Sequence, residues 1–141
     1  MSTRTSGVRE TSQRPRVLVV DDHADSAELL AILLERSQYS VKTVGDSFAA
    51  LTTALEFLPQ IAIIDIGLPW MNGFELLKAM RAEPSLAECR FIAVTGYSID
   101  EVKNGANNGA FDAHLRKPLD CDQLYEVIAT QLGDRVTSHH T

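Results

Sequence analysis

The sequence predicts an α/β domain in which five parallel strands form one sheet and helices cover both faces. Five short apolar runs alternate with five segments of helical periodicity between residues 16 and 132, and this alternation is typical of successive βα units. The first run is continuously apolar and rich in valine, as expected for a strand buried on both faces. A chain of 141 residues is long enough for one such domain and its core.

The first half of the chain carries two βα units and a third strand. The run at 16–20 leads into a helix at 25–36, where leucines repeat at helical spacing. A weaker strand at 40–44 precedes Asp46, whose side chain can cap the next helix. The third strand ends at Asp65. The residues of these two helices that we expect to face the core are Leu30, Leu33, Leu34, Ala50, Leu51, Ala54 and Leu55.

The second half supplies three more helices and two strands. A helix at 74–81 must end before Pro84, because the residue preceding a proline resists helical dihedral angles. A strand at 91–94 precedes a helix from Ser98, which its asparagines and glycines make the least stable helix of the chain. The fifth strand is predicted at 112–115, and a last helix from Asp120. The core residues predicted for this last helix are Leu124, Val127, Ile128 and Leu132.

Composition and charge limit the functional classes. The 45% hydrophobic and 23% charged content is ordinary for a globular protein, and the net charge of −6 argues against nucleic acid as a direct partner. No apolar run is long enough to span a bilayer and none resembles a secretory signal, so a cytoplasmic protein without membrane contact is expected. Cys89 and Cys121 fit no metal or disulfide pattern and are expected to be buried or half-buried free thiols.

The two ends of the chain are predicted to be flexible tails. Residues 1–14 and 134–141 are rich in small and polar residues and cannot bury enough apolar surface to offset the entropy of ordering. The folded domain is therefore predicted at 15–133. Fewer than ten residues follow Gly133, so we expect no DNA-binding or enzymatic output segment after the domain.

Side chains that phosphate chemistry can use follow four of the predicted strands. Asp21 and Asp22 follow the first strand, Asp65 ends the third, Thr95 follows the fourth and Lys117 follows the fifth. In open α/β sheets, ligands bind outside the carboxyl ends of the strands. The five side chains are therefore predicted to form one site.

The three acids of this set point to a metal ion. Asp21, Asp22 and Asp65 would repel one another unless a cation joined them. Oxygen ligands suit a hard ion, and Mg²⁺ is commonly held by carboxylates while it keeps water for a phosphate to displace. The sequence therefore predicts a site for Mg²⁺, or for Mn²⁺.

The remaining groups point to phosphoryl transfer. Lys117 can pair with Asp65 at rest and with a phosphoryl oxygen later, and Thr95 offers a hydroxyl donor. A carboxylate nucleophile, a divalent ion, an ammonium and a hydroxyl stabilise phosphoryl transfer by position and charge. Asp65 is the expected nucleophile. His23 is expected to begin the first helix or to face solvent rather than to bind metal, and His114 to pack in the core or to move.

These residues and their neighbours resemble the receiver domain of two-component response regulators, the CheY-like family. The likeness rests on Asp21-Asp22, on the stretch from Asp65 through Pro69 to Gly73, on Thr95-Gly96 and on Lys117-Pro118, and it covers residues 15–133. The segment from Gly109 to Pro118 looks like receivers of hybrid histidine kinases or stand-alone response regulators. The resemblance implies a flavodoxin-like, doubly wound sheet of order 2-1-3-4-5.

The resemblance also implies roles for the site residues. Asp65 would accept a phosphoryl group from the phosphohistidine of a sensor histidine kinase or phosphotransfer protein. Lys117 and Thr95 would hold phosphoryl oxygens, and the Lys117-Pro118 bond would be cis. The implied metal ligands are the carboxylates of Asp22 and Asp65, the backbone carbonyl of Gly67 and, through water, Asp21.

The resemblance further implies how phosphorylation would change the shape of the protein and reach a partner. Thr95 would move toward the phosphoryl group while His114, at a position where many relatives carry Tyr or Phe, would turn inward. Gly67 and Tyr97 would influence how water reaches the acyl phosphate. Output would be contact with a downstream protein through the fourth predicted helix, the fifth strand and the fifth predicted helix. The protein would be a monomer or weak dimer that catalyses only its own phosphorylation and dephosphorylation.

Two enzymatic or nucleotide-binding classes lack their required residues in this sequence. A phosphatase of the haloacid dehalogenase type needs a second acid two residues after its nucleophile, and that position is Gly67. Nucleotide binding would need a GxGxxG or GxxxxGK[ST] motif after a strand, and the sequence has neither. A receiver-like module that binds proteins without being phosphorylated stays the alternative.

Overall fold

The computed structural model describes residues 14–66, 73–96 and 111–133, which form one parallel sheet with helices on both faces. The strands are β1 (Arg16–Val20), β2 (Ser40–Val44), β3 (Ile61–Asp65), β4 (Arg90–Thr95) and β5 (Ala113–Arg116). The helices are α1 (Ala24–Arg36), α2 (Ser47–Phe57), α3 (Gly73–Arg81) and α4 (Cys121–Gln131), with a 3₁₀ turn at Pro84–Leu86. The predicted α/β class is confirmed.

The strands are ordered β2-β1-β3-β4-β5, and every neighbouring pair is parallel. The chain moves outward from β1 to β2 and then crosses back to β3, so the order reverses between β1 and β3. This reversal is the switch point at which doubly wound sheets open a crevice for ligands. The order implied by the family resemblance is therefore confirmed.

The core consists of two layers separated by the sheet. Successive residues of a strand point to opposite faces. Leu18 of β1 therefore belongs to the layer that α2 and α3 cover, while Val19 belongs to the layer that α1 and α4 cover. All five residues Val17–Asp21 are buried, as expected for a strand covered on both faces.

The helices begin and end where local chemistry predicts. Asp46 caps α2 by accepting a hydrogen bond from the Phe48 N–H, and Asp120 caps α4 by accepting from the N–H groups of Asp122 and Gln123. Helix α3 ends before Pro84. These findings confirm the predicted cap at Asp46 and the predicted stop before Pro84, and they add a cap at Asp120, where the last helix was predicted to begin.

Three local predictions were wrong. Strand β5 is Ala113–Arg116 rather than 112–115, because the side chain of Asp112 is engaged by the Phe91 N–H. Leu55 is exposed because α2 packs on the sheet through Ala50 and Ala54, the two buried alanines of this helix, which lie one turn apart. Cys121 is also exposed, since it opens helix α4 at the edge of the domain.

Two predicted features lie outside the described residues. They are the helix from Ser98 and the tails at 1–14 and 134–141, of which only Arg14 is described. The tails, the domain limits of 15–133 and that helix therefore stay predictions. In the part of the chain that is described, no helix is long and apolar enough to cross a membrane.

Candidate functional site

The sheet register brings the predicted polar residues to one edge. Val20 is paired with Ile64, so Asp21 follows β1 at the level where Asp65 ends β3. Thr95 ends β4, where it is paired with Arg116, and Lys117 is the next residue. Because all strands are parallel, their carboxyl ends meet here. The site is therefore assembled by strand ends that are far apart in sequence.

The acids form a compact cluster at the switch point. Asp21, Asp22, His23 and Asp65 each offer one ligand atom, and these four atoms lie within 4.8 Å of one another. Asp21 is buried, whereas Asp22 is exposed. Asp21 Oδ1 also accepts a hydrogen bond from the His23 backbone N–H at 2.9 Å. This bond orients the Asp21 carboxylate where β1 turns into α1.

Lys117 reaches the cluster from the other side. Its Nζ lies 3.1 Å from Asp65 Oδ2 and donates a hydrogen bond to it. The Lys117 backbone N–H donates to the Thr95 carbonyl at 2.9 Å, which continues the β4–β5 pairing by one residue. The Lys117–Pro118 peptide bond is cis. The lysine is thus held by the sheet at its backbone and by the acid at its tip.

The surroundings of the Asp65 carboxyl disfavour its ionised form. Burial raises its pKa above the ordinary value of 3.8, and the neighbouring Asp21 raises it further. Lys117 acts in the opposite direction through its hydrogen bond and its charge, without cancelling the effect of burial. A divalent cation beside Asp21 and Asp65 would relieve this repulsion.

The cluster fits a small divalent cation. Oxygen atoms on opposite sides of a Mg²⁺ ion lie about 4.2 Å apart, because each Mg–O distance is about 2.1 Å. The spacing of up to 4.8 Å within the cluster is therefore close to what one ion requires. Carboxylates from Asp21, Asp22 and Asp65 are hard ligands of the kind that Mg²⁺ and Mn²⁺ prefer.

Thr95 and His114 lie on neighbouring strands near the site. Thr95 is fully buried, and His114 is half-buried beside Ala93 of β4. The imidazole of His114 packs edge-on against Phe111 with 6.0 Å between ring centroids, and Phe111 packs against Phe74 at 5.4 Å. The rings of His114, Phe111 and Phe74 therefore form a row that runs from β5 to α3.

A cavity of about 390 Å³ opens beside the acid and the lysine. Asp65 and Lys117 line it together with apolar side chains of helix α1. The exposed residue Cys121 also lines it. The remaining apolar lining residues are Val19, Val20, Leu29, Leu30, Leu33, Ile63, Val94, Pro118 and Leu119. The site is thus open to a partner on its α1 side.

His23, which the sequence did not favour as a member of the site, approaches it, and two predicted members lie outside the described residues. The imidazole of His23 faces the acids, although the residue also begins α1 and is exposed, as predicted. Its position next to Asp21-Asp22 was the available signal. Gly67 and Tyr97 lie outside the described residues.

The comparisons with known proteins agree with this geometry. The model of the response regulator receiver domain matches residues 17–129. The DNA-binding response regulator MtrA of Mycobacterium tuberculosis (strain CDC 1551 / Oshkosh) is 33% identical over 121 residues, which are 86% of this chain and 52% of MtrA. The chain thus spans about half the length of this relative.

Two further relatives resemble the chain over nearly their whole length. The polar-differentiation response regulator DivK of Brucella anthropi is 29% identical over 118 residues, covering 84% of this chain and 96% of DivK. The CheY-like receiver domain of Methanospirillum hungatei JF-1 is 28% identical with a TM-score of 0.78, and the match covers 89% of this chain and 99% of that structure. The chain belongs to the response regulator receiver domain family, whose members are phosphoacceptor signalling modules of two-component systems.

Proposed function

We propose that Asp65 accepts a phosphoryl group from the phosphohistidine of a sensor histidine kinase or phosphotransfer protein, in the presence of Mg²⁺ or Mn²⁺. The observation that carries this proposal is the position of Asp65, between an acid cluster and the Lys117 ammonium 3.1 Å away. A carboxylate held between cation ligands and a fixed positive charge is arranged for attack on a phosphorus atom.

The proposed transfer moves one phosphoryl group between two side chains. An Asp65 carboxylate oxygen attacks the phosphorus atom, the phosphorus–nitrogen bond breaks, and its electron pair stays with the departing imidazole. When bound, the divalent ion neutralises charge on the phosphoryl oxygens. Asp21, Asp22, Asp65 and the Gly67 carbonyl would hold it.

Lys117 and Thr95 have complementary roles in this proposal. The Lys117 ammonium, which contacts Asp65 Oδ2 at rest, would exchange that contact for a phosphoryl oxygen. The Thr95 hydroxyl would donate to another phosphoryl oxygen. Such donors stabilise charge where it develops in the transition state. Thr95 and His114 would then change position in response to phosphorylation. Gly67 and Tyr97 would control the entry of water during self-catalysed dephosphorylation.

The partners are proposed from the surroundings of the site. The cavity between α1 and the turn after β5 gives a donor imidazole access to Asp65, since Asp65 and Lys117 both line it. Output is proposed as contact of a downstream protein with the surface that includes β5 and α4, by a monomer or weak dimer without direct nucleic-acid or membrane contact. A cytoplasmic location belongs to the proposal, because the free thiols of Cys89 and Cys121 suit a reducing compartment.

The test is phosphorylation by a small donor. The protein is incubated with Mg²⁺ and acetyl phosphate, and its intact mass is measured; one phosphoryl group adds about 80 Da. We expect this increase in the wild type and in Asp25→Asn, whose acid is exposed in the first turn of α1. Asp65→Asn should show none. A wild type that gains no mass would contradict the proposal and favour a receiver that binds proteins unphosphorylated.

A further inference from the structure

His23 places a nitrogen ligand at a site whose other side-chain ligands are all carboxylates. Its Nδ1 lies 3.2 Å from Asp22 Oδ1 and 3.5 Å from Asp21 Oδ1. A ring nitrogen of His23 belongs to the group of four ligand atoms that includes a carboxylate oxygen of Asp65. The donor set of the described residues is therefore three carboxylates and one imidazole.

The backbone holds the imidazole in this position. His23 is the N-cap residue of α1, with extended dihedral angles (φ −95°, ψ 107°), and its backbone N–H is bonded to Asp21 Oδ1. N-cap side chains usually accept a hydrogen bond from the first turn of their helix, but the His23 side chain does not. The ring is therefore available to the acid cluster and is not used to cap the helix.

An ion pair by itself does not account for this arrangement well. The His23 side chain is 71% exposed, and pairs between exposed charges contribute little because water screens them. Coordination of a metal ion by His23 would fit the same geometry and would be a stronger interaction than this ion pair. The lone pair needed for coordination is available at Nδ1 in the Nε2–H tautomer of a neutral imidazole. Exposure also leaves the ring room to move the last fraction of an ångström toward an ion.

We propose that His23 is a metal ligand that determines which divalent ion this site prefers. This inference rests on the proposed function for the existence of the metal site itself. Imidazole nitrogen binds Co²⁺, Ni²⁺ and Zn²⁺ more strongly than it binds Mg²⁺, which prefers oxygen. The imidazole of His23, as the fourth ligand, therefore raises the affinity of the site for ions such as Co²⁺, Ni²⁺ and Zn²⁺ relative to Mg²⁺.

The direct test is whether nitrogen coordinates the bound ion. Mn²⁺ is added to the full chain, and pulsed electron paramagnetic resonance measures the coupling of its electron spin to ¹⁴N. The background variant His139→Gln/His140→Gln removes two histidines of the C-terminal segment that could bind Mn²⁺ on their own. We expect a ¹⁴N coupling in this background and its loss when His23→Gln is added.

The second readout is selectivity. Dissociation constants for Co²⁺ and Mg²⁺ are measured by calorimetry in the background variant, with and without His23→Gln. We expect His23→Gln to weaken Co²⁺ binding by about tenfold or more, since even partners outside the ligand shell change metal affinity by 10–100-fold. Mg²⁺ binding should change by less than about twofold, because oxygen ligands dominate its affinity.

The outcomes separate this inference from the proposed function. Mn²⁺ that binds without nitrogen coupling, together with equal losses of Co²⁺ and Mg²⁺ affinity, would overturn the role of His23 while Asp65 is still phosphorylated with Mg²⁺. A protein that binds none of these ions and is not phosphorylated would overturn both. Circular dichroism of His23→Gln confirms that the variant folds.

Discussion

At the residue scale, the site combines an acid whose ionised form is disfavoured by burial with a lysine whose charge partly offsets that effect. The Asp65 side chain is 12% exposed and that of Lys117 is 33% exposed. Solvent therefore screens their interaction less than it would screen a surface pair. Ionisation of Asp65 therefore has a cost in stability, and this cost can be measured.

Replacement of Asp65 by asparagine should stabilise the protein in the absence of metal. The pKa of Asp65 is raised from 3.8, so the folded state binds the proton more tightly than the unfolded state. The cost of the ionised acid is therefore absent below 3.8, grows as the pH rises toward the raised pKa, and is fully present above the raised pKa. We expect Asp65→Asn to gain on the order of 1 kcal/mol near neutral pH.

Urea unfolding in EDTA measures this gain. It should shrink as the pH is lowered through the raised pKa of Asp65 and vanish below the ordinary value of 3.8, where the acid is protonated in both the folded and the unfolded state. Asp25→Asn on the surface of α1 is the matched control and should change stability little at either pH. An Asp65→Asn variant that is less stable than the wild type at neutral pH would show that the Lys117 contact outweighs burial.

Lys117→Met should slow phosphorylation far more than it affects folding. The variant loses the ammonium that would contact the phosphoryl group, and removal of one such donor costs a factor of about 10²–10³ in rate. Lys117→Arg should recover only part of the rate, because a forked guanidinium does not replace a compact ammonium.

The rate of mass gain with acetyl phosphate and Mg²⁺ measures this effect. Lys78→Met, which changes an exposed lysine of α3, should match the wild type. A Lys117→Met rate within about threefold of the wild type would be far smaller than the expected loss and would exclude a role for Lys117 in the transfer.

The two cysteines should differ in reactivity. Burial raises the pKa of the Cys89 thiol to about 12, with a smaller contribution from the nearby Asp112 charge. The thiolate is the reactive form, so Cys89 should be inert in the folded protein, whereas Cys121 is exposed. Iodoacetamide is expected to label only Cys121 under native conditions and both thiols in urea, as peptide mass spectrometry will show. Native labelling of Cys89 would contradict its burial.

At the element scale, one acid joins β4 and β5 at the end of these strands opposite the site. The Asp112 backbone N–H donates to the Phe91 carbonyl at 2.8 Å, and Asp112 Oδ2 accepts from the Phe91 N–H at 2.8 Å. The same oxygen accepts from Arg81 Nη2 at 3.2 Å, and the Arg81 guanidinium lies over the Phe91 ring. Asp112 therefore sets the register in which β5 joins β4, and α3 is tied to the same point.

Asp112→Ala should destabilise the domain by about 1–3 kcal/mol, because the N–H of the fully buried Phe91 would lose its partner. Asp112→Asn keeps an acceptor for that N–H and should lose less stability than Asp112→Ala. Its loss should come only from the missing charge interaction with Arg81. Urea unfolding compares both with Glu88→Ala, an exposed acid in the same region. Equal losses for the alanine and asparagine variants would assign the effect to charge alone.

At the scale of the whole molecule, two apolar layers share one sheet. Leu76 lies in the layer under α2 and α3, and Leu124 in the layer under α1 and α4, and both are fully buried. The strands contribute residues to both layers, so neither layer can form without the sheet. We expect the described domain to unfold as one cooperative unit.

Leu76→Ala and Leu124→Ala should each cost about 2–5 kcal/mol, from lost burial and the cavity that remains. Because the two side chains lie on opposite faces of the sheet and share no direct contact, the double variant should lose about the sum of the single losses. Chemical denaturation with fluorescence and circular dichroism as probes measures all three. Two separate transitions would show that the layers unfold independently.

The sequence by itself determined the architecture and the residue types of the site. Continuous apolar runs at β1, β3 and β4, in alternation with helical patterns, predicted strands buried on both faces. Acids, a hydroxyl and, after β5, a lysine were predicted to meet at the edge where parallel strands end. The cap at Asp46 was likewise predicted, because capping depends on a few neighbouring residues.

Only the tertiary structure decided which side chains meet and which face water. The 3.1 Å contact of Lys117 with Asp65, the approach of the His23 ring to the acids and the exposure of Leu55 and Cys121 depend on how each helix is rotated against the sheet. Local sequence constrains that rotation weakly. Packing of residues distant in the chain fixes it, because the free energy of burial depends on the whole core rather than on any single segment.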